Sequence, residues 1–215
     1  MKKLFFLALA VLMAPAMLSA DVSVTNLDGV ADWDTEAGAG PLQQTVVVGV
    51  NETITGISLD VAGITHTFIG DLSFELIAPD GTTRMFVVGQ LTGGGLFGDS
   101  SDWGGDYSFA DGGASLWTAA AGAAAGDPIP VGTYAASQDD GTGNEQINSF
   151  ASTFGGMSTA GTWTVEFFDS FVPGDTGGMT SWTLNFQSNA VPEPTTGCVL
   201  LGLGSVLAMG MRRRK

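Results

Sequence analysis

The acidic side chains are the residues of this sequence whose chemistry stands out, because carboxylate oxygens bind hard cations. Calcium takes about six to eight oxygen ligands, from carboxylates and from loop carbonyls. Asp71, Asp169 and Asp175 flank the ends of predicted strands, and they form the first candidate group. A second candidate group lies in a glycine-rich loop and consists of Asp99, Asp102, Asp106 and Asp111. The alternative for either group is a set of solvated turns and strand caps.

His66 is the only histidine of the chain and the one candidate for the base of a nucleophilic triad. Its position next to a predicted strand favours a structural hydrogen bond across the fold instead. The sequence also has no Gly-x-Ser-x-Gly elbow, phosphate loop, dinucleotide fingerprint or Cys/His zinc spacing. No spacing singles out a pair of acids for glycosidase chemistry. We therefore predict that the protein is not an enzyme.

Three aromatic residues, Trp103, Tyr107 and Trp117, lie in the glycine-rich stretch between residues 89 and 154. Exposed rings of this kind stack on sugar rings, whereas buried rings anchor long loops to a hydrophobic core. The sequence leaves both interpretations open.

The charge of the chain is distributed very unevenly. Of the seven Lys and Arg residues, only Arg84 lies between Asp21 and Ala190, whereas this interval holds 21 of the 22 acids. The interval therefore carries a net charge of about −20 at neutral pH. Such a charge repels nucleic acid and anionic lipid, and it attracts divalent cations. We therefore expect no nucleic-acid partner.

The N-terminus has the pattern of a secretory signal peptide over residues 1–20. Lys2 and Lys3 precede an apolar run from Leu4 to Met13, and small residues follow that run. Cleavage is predicted after Ala20, with Ala16 as the alternative position. We therefore expect the rest of the chain to be exported.

The C-terminal segment, residues 189–215, combines a Pro-Glu-Pro motif, an apolar stretch at 197–211 and a basic end. The motif is Val191, Pro192, Glu193 and Pro194, and the basic end that stops membrane transfer is Arg212, Arg213, Arg214 and Lys215. These three parts, in this order, closely resemble the PEP-CTERM sorting signal of Gram-negative bacteria. The resemblance implies a membrane-anchored precursor that an exosortase cuts near the motif and releases or transfers to the surface. The alternative is a plain tail anchor.

Residues 21–188 are predicted to form one all-β domain. Alternating apolar residues indicate strands at 57–61, 72–76, 163–167 and 182–186, with further strands at 45–50 and 84–88. Turns rich in Pro, Asp and Gly separate these strands, and no segment shows sustained helical periodicity. We therefore predict an antiparallel β-sandwich flanked by an N-terminal signal helix and a C-terminal transmembrane helix.

Several short motifs follow one another along this domain: His66-Thr67, Gly70-Asp71-Leu72, Pro79-Asp80-Gly81-Thr82, Gly161-Thr162-Trp163, Asp169 and Gly174-Asp175-Thr176-Gly177. Their order resembles the P domain of proprotein convertases and bacterial subtilisin-like proteases, over roughly residues 43–187. The resemblance implies a jelly roll of the galactose-binding-like kind, with loop acids as calcium ligands. A P domain usually follows a catalytic domain, and we expect none here, so its protease-associated role does not transfer directly.

Together these features predict a non-enzymatic, exported protein of the cell surface or extracellular matrix of a Gram-negative bacterium. Calcium is the expected cofactor. An exosortase is the expected processing partner, with extracellular polysaccharide or a surface protein as further partners. Two alternatives remain open: a carbohydrate-binding or carbohydrate-active surface protein, and an accessory domain that docks on a separate secreted protease.

Overall fold

In the computed structural model, which describes residues 19–37, 40–91 and 98–190, two β-sheets and three short helices are present. The strands of the first sheet are, in spatial order, β1 (Ser19–Asn26), β11 (Ser181–Ala190), β3 (Glu52–His66), β6 (Trp103–Ala114) and β7 (Gly132–Tyr134). Those of the second sheet are β2 (Leu42–Val48), β10 (Gly161–Asp169), β4 (Leu72–Ile77), β5 (Arg84–Val88), β8 (Ser137–Asp139) and β9 (Glu145–Ile147). The helices are α1 (Trp33–Glu36), α2 (Leu116–Gly122) and α3 (Phe150–Phe154).

The core lies between the two sheets and follows from the alternation of side chains along each strand. On β10, Trp163, Val165 and Phe167 are fully buried, while Thr164 and Glu166 are only partly buried. The Trp163 indole donates a hydrogen bond to the carbonyl of Thr159 at 2.8 Å, which satisfies its polar atom inside the core. Large aromatic rings dominate this interior and hold the two sheets together.

The predicted all-β sandwich is confirmed, with one correction to its strand directions. All six predicted strands are present, as parts of β2, β3, β4, β5, β10 and β11, although β2 ends at Val48, two residues before the predicted end. The sheets are not antiparallel throughout, because β5 runs parallel to β8 and β6 runs parallel to β7. Parallel neighbours require a long crossover, and the connection from β6 to β7 passes through α2 before it returns.

The glycine-rich stretch 89–154, for which the sequence gives no strands, contributes β6 to β9, α2 and α3. Glycine and aspartate weaken the strand signal of β6, so the pattern of this strand is hard to recognise. One of these glycines is required by close packing. A Cβ atom at Gly113 would collide with the backbone of Tyr134 on the neighbouring strand β7.

The chain enters and leaves the sandwich at the same end. Strand β1 begins two residues before the predicted domain start, and Ser19 pairs with Asn189 near the end of β11. Residues 1–18 of the predicted signal segment, the predicted transmembrane helix, residues 191–194 and the basic end lie outside the described residues, whereas Ser19 and Ala20 form the start of β1. Within the described part of the chain, no helix combines the length and apolar character needed to cross a membrane.

Candidate functional site

The first group of predicted calcium ligands comes together at one end of the sandwich. Asp71 lies between β3 and β4, Asp169 is the last residue of β10, and Asp175 lies in the loop that leads to β11. This end is opposite to the one where the chain enters and leaves, because β11 starts beside this loop and finishes at Ala190. We refer to Asp71, Asp169 and Asp175 as the acidic loop cluster.

Asp71 is the most strongly perturbed acid of this cluster. The pKa of Asp71 is raised from 3.8 to about 6, chiefly by burial, with further contributions from the charges of Asp175 and Asp169 and from a hydrogen bond with the Asp175 carboxyl. The Ser170 hydroxyl donates to Asp71 Oδ1 at 3.2 Å and partly offsets these effects. Carboxylates this close to one another repel unless a proton or another cation lies between them.

Asp175 is positioned by the end of β3. The Thr67 hydroxyl donates to Asp175 Oδ1 at 3.0 Å and accepts the backbone N–H of Thr176 at 3.0 Å. Asp71 and Asp175 then line a pocket of about 390 Å³ together with the rings of Phe68 and Phe171. The pocket therefore combines two carboxylates with two aromatic walls.

Asp169 contacts His66 in the interior, and both residues are 1% exposed. Asp169 Oδ2 lies 3.5 Å from His66 Nε2, and Asp169 Oδ1 accepts the backbone N–H of Phe171 at 3.1 Å. His66 Nδ1 lies 2.8 Å from the carbonyl oxygen and 3.1 Å from the backbone nitrogen of Phe68. Both ring nitrogens of His66 thus have partners within the fold, in agreement with the predicted structural role.

Asp102 is the member of the second predicted group whose pKa responds to the cluster. Burial raises the pKa of Asp102, the interaction with His66 lowers it, and the charges of Asp127 and Asp175 raise it. Its Oδ1 atom is buried and has no hydrogen-bond partner among the described residues. A buried, unpaired carboxylate oxygen is costly, and a bound cation would satisfy it.

The other three acids of the second group serve local structure at separate places. Asp99 Oδ1 accepts the backbone N–H and the hydroxyl of Ser101, at 2.9 and 2.6 Å. Asp106 accepts the N–H of Gly63 at 2.7 Å, where the register between β3 and β6 shifts. Asp111 accepts the first two N–H groups of α3. The four acids of the second predicted group therefore do not come together at one site.

The acidic loop cluster offers a hard cation part of its ligand shell. Within residues 19–37, 40–91 and 98–190, no three His, Cys, Asp or Glu side chains are arranged to hold a metal ion by themselves. Asp71 and Asp175 supply carboxylate oxygens at the pocket, and calcium accepts carbonyl and water oxygens as its remaining ligands. The donor chemistry therefore fits calcium, with loop carbonyls and water needed to complete the site.

The structure decides between the two interpretations for two of the aromatic residues. Trp103 and Tyr107 are 2% and 1% exposed, and the Tyr107 hydroxyl donates to the carbonyl of Ile129 at 2.9 Å. The two rings meet edge to face with their centroids 4.9 Å apart. Both rings lie on strand β6 within the core and are not available to a sugar, whereas Trp117 on α2 is half-buried.

Phe68 and Phe171 line the pocket and Ser170 bonds to Asp71 beside it, but none of the three was predicted from the sequence. A signal is present in the segment Ser170-Phe171-Val172, where two large apolar residues stand in a turn next to Pro173. Phe171 and Val172 are 53% and 42% exposed. Apolar residues in a polar turn are a reason to look for a binding surface.

The C-terminal residues match a known sorting motif. Residues 190–215 match the family model described as the PEP-CTERM protein-sorting motif. The chain carries a PEP-CTERM sorting motif. The prediction from Val191-Pro192-Glu193-Pro194 and the basic end is thereby confirmed, and the motif marks an exported, membrane-sorted precursor that an exosortase processes.

No curated protein matches the chain in sequence. A solved complex of the Aeromonas sobria serine protease with a chaperone is 17% identical, with a TM-score of 0.43, and the match covers 82% of this chain and 28% of that chain. The A. sobria serine protease alone is 17% identical, with a TM-score of 0.42 and coverage of 81% and 28%. The chain thus spans about 28% of these protease chains, and likenesses this distant do not bear on its function.

Proposed function

We propose that the protein is a non-catalytic, calcium-stabilised module of the cell envelope surface or extracellular matrix, delivered there through its PEP-CTERM motif. The observation that carries the calcium part is the acidic loop cluster. Asp71 and Asp175 share a hydrogen bond, and burial and repulsion raise the pKa of Asp71 to about 6. A divalent cation relieves this repulsion better than a proton at neutral pH.

The module has few positive charges of its own to offer the cluster. Arg84, the only Lys or Arg between residues 21 and 190, forms an ion pair with Glu75 at 2.9 Å on the second sheet. His66 contacts Asp169 and is enclosed by the fold. An external cation is therefore the natural partner of Asp71 and Asp175.

The environment of His66 supports a non-catalytic role. A general base needs a free ring nitrogen within reach of a substrate proton. Both nitrogens of His66 contact groups of the fold, and the residue is 1% exposed.

Thermal unfolding of the mature protein, in excess calcium and in chelator, tests the calcium proposal. A ligand at about a hundred times its Kd stabilises the folded state by about 2.7 kcal/mol, which corresponds to a Tm rise of roughly 5–10 °C. The Asp71→Asn and Asp175→Asn variants should lose this rise. Asp106→Asn is the matched control and should keep it. A wild-type Tm that is identical in calcium and chelator would refute the proposal.

The delivery step is tested separately, in cells of the native host. Replacement of Glu193 by Ala should leave the full-length precursor, whereas the wild-type protein should lose the mass of its tail. Thr195→Ala, two residues further on, is the control and should be processed normally. Identical processing of both variants would show that the Pro-Glu-Pro motif is not what the exosortase reads.

A further inference from the structure

The outward face of the second sheet carries a group of side chains that the proposed calcium-stabilised role does not use. Glu166 on β10 pairs with Glu75 on β4, and Glu75 pairs with Phe86 on β5, so the three lie in one row across the sheet. Phe168 follows on β10, two residues beyond Glu166. Together with Arg84 they line a pocket of about 270 Å³, which we call the outer platform.

The polar groups of the outer platform are held in fixed positions. Arg84 Nη1 donates to Glu75 Oε2 at 2.9 Å and lies 3.7 Å from Glu166 Oε1. The Gln43 amide donates to Glu166 Oε2 at 2.6 Å from the other side. The side chains of Glu75 and Glu166 are only 14% and 18% exposed, whereas that of Arg84 is 46% exposed. Ordered acceptors and an accessible donor therefore share one shallow pocket.

The aromatic residues beside this group do not fit a purely solvated face. The other outward positions of β10, Thr162, Thr164 and Glu166, are polar, as expected for a surface that contacts water. Phe168 stands at the next outward position and is 43% exposed, and Phe86 is half-buried. An exposed ring on a central strand is a feature that a binding partner would explain.

Rings combined with hydrogen-bonding groups match the chemistry of a sugar. A sugar ring presents an apolar C–H face, which packs on an aromatic ring, and an edge of hydroxyl groups, which needs donors and acceptors. Phe86 and Phe168 supply the rings, while Glu75, Glu166 and Arg84 supply the donors and acceptors.

The charge of the module restricts the kind of polysaccharide that the outer platform can bind. A net charge of about −20 over residues 21–190 repels anionic polysaccharide as it repels nucleic acid. Within the outer platform, Arg84 already neutralises part of the charge of Glu75 and Glu166. We propose that the outer platform binds a neutral polysaccharide, with Phe168 and Phe86 against sugar rings and the Glu75–Arg84–Glu166 group bonded to hydroxyls.

Affinity electrophoresis of the mature protein tests this proposal, in native gels that contain mixed-linkage β-glucan, arabinoxylan or galactomannan, with alginate as the anionic comparison. We expect retardation in at least one neutral gel, and an apparent affinity about tenfold weaker for Phe168→Ala and for Arg84→Gln. Leu27→Ala is the matched control, since Leu27 is an apolar residue that is 79% exposed and lies outside the platform, and it should migrate as the wild type does.

Thermal unfolding of each variant separates loss of binding from loss of fold. Arg84→Gln does not change a core residue, so it still tests the platform if Phe168→Ala proves unstable. Three results overturn the proposal: retardation in none of the neutral gels, retardation in alginate alone, or equal weakening by Phe168→Ala and Leu27→Ala. The outcome does not depend on calcium, because the platform and the acidic loop cluster have no residue in common.

Discussion

The acidic residues of this module differ widely in how the fold treats their charge. The hydroxyl and N–H of Thr83 and the N–H of Thr82 donate to Asp80 and lower its pKa to about 2. Burial and the neighbouring acids raise the pKa of Asp71 to about 6. The ionised form of an aspartate is thus stabilised at the turn of Asp80 and destabilised at Asp71 in the acidic loop cluster.

The raised pKa of Asp71 predicts how stability depends on pH without calcium. The folded state keeps this proton to higher pH than the unfolded state does, so the favourable contribution is complete below about pH 4 and is lost as pH rises through about 6. Asp71→Asn should therefore raise stability at pH 8 in chelator by about 1 kcal/mol, a value discounted for solvent screening. Below pH 4 the two proteins should unfold alike in urea.

Asp140 provides a control, because its substitution should change stability at pH 8 in the opposite direction to that of Asp71. The hydroxyl and N–H of Thr142 and the N–H of Asn144 donate to its carboxylate, and these bonds lower the pKa of Asp140. Asp140→Asn should therefore reduce stability at pH 8, where Asp71→Asn increases it. A shift in the same direction for both variants would contradict the assigned environments.

At the scale of elements, a carboxylate of β6 completes a helix that lies far along the sequence. Asp111 accepts the N–H of Phe150 at 2.8 Å and that of Ala151 at 2.9 Å, and its Oδ2 also accepts the Ser149 hydroxyl at 3.2 Å. These groups have no partner within α3 itself, because the first N–H groups of a helix lack an acceptor one turn earlier. The cap fixes α3, whose rings Phe150 and Phe154 are buried in the core.

We expect that removal of the Asp111 carboxylate lowers the stability of the fold by an amount that calcium does not change. Asp111→Ala should lower the free energy of unfolding by about 1–2 kcal/mol, as the loss of an acceptor for the first N–H groups of a helix usually does, while the N-cap residue Ser149 stays in place. Urea unfolding in calcium and in chelator should give the same difference from wild type. A loss seen only in calcium would instead return Asp111 to the set of metal ligands that the sequence predicts.

The sequence predicts the elements whose signals are local and misses those that depend on distant partners. Strands β3, β4, β10 and β11 show period-two alternation and were predicted from it. Asp111 and α3 are 39 residues apart, so nothing in the local sequence of either predicts their contact. The acidic loop cluster was predicted through its motifs, whereas the aromatic walls of its pocket follow only from how β3 and β10 end together.

At the scale of the whole molecule, negative charge opposes the compact state. The interval 21–190 carries 21 acids and one Lys or Arg, and self-repulsion at this charge lowers stability. No disulfide opposes this repulsion, because the one cysteine of the chain, Cys198, lies outside this interval. The sequence predicted both the charge and the exported state, since each depends on composition and terminal motifs.

Because repulsion among the acids lowers the stability of the fold, we expect stability to depend strongly on salt concentration. Raising NaCl from about 10 mM to about 500 mM shortens the screening length from roughly 30 Å to a few ångströms, so Tm should rise. Calcium chloride at matched ionic strength should raise Tm further if calcium also binds at Asp71 and Asp175. Differential scanning calorimetry measures both, and equal curves in the two salts would leave screening as the whole effect.

The pairing of Ser19 with Asn189 has a consequence for how the module is displayed. Ser19 and Ala190, the two ends of the described domain, lie at one pole of the sandwich. Strand β11 has ten residues, which places Asp175 and its neighbours about 30 Å away at the opposite pole. The carboxylates at that pole are therefore separated from both ends of the described domain by the length of β11.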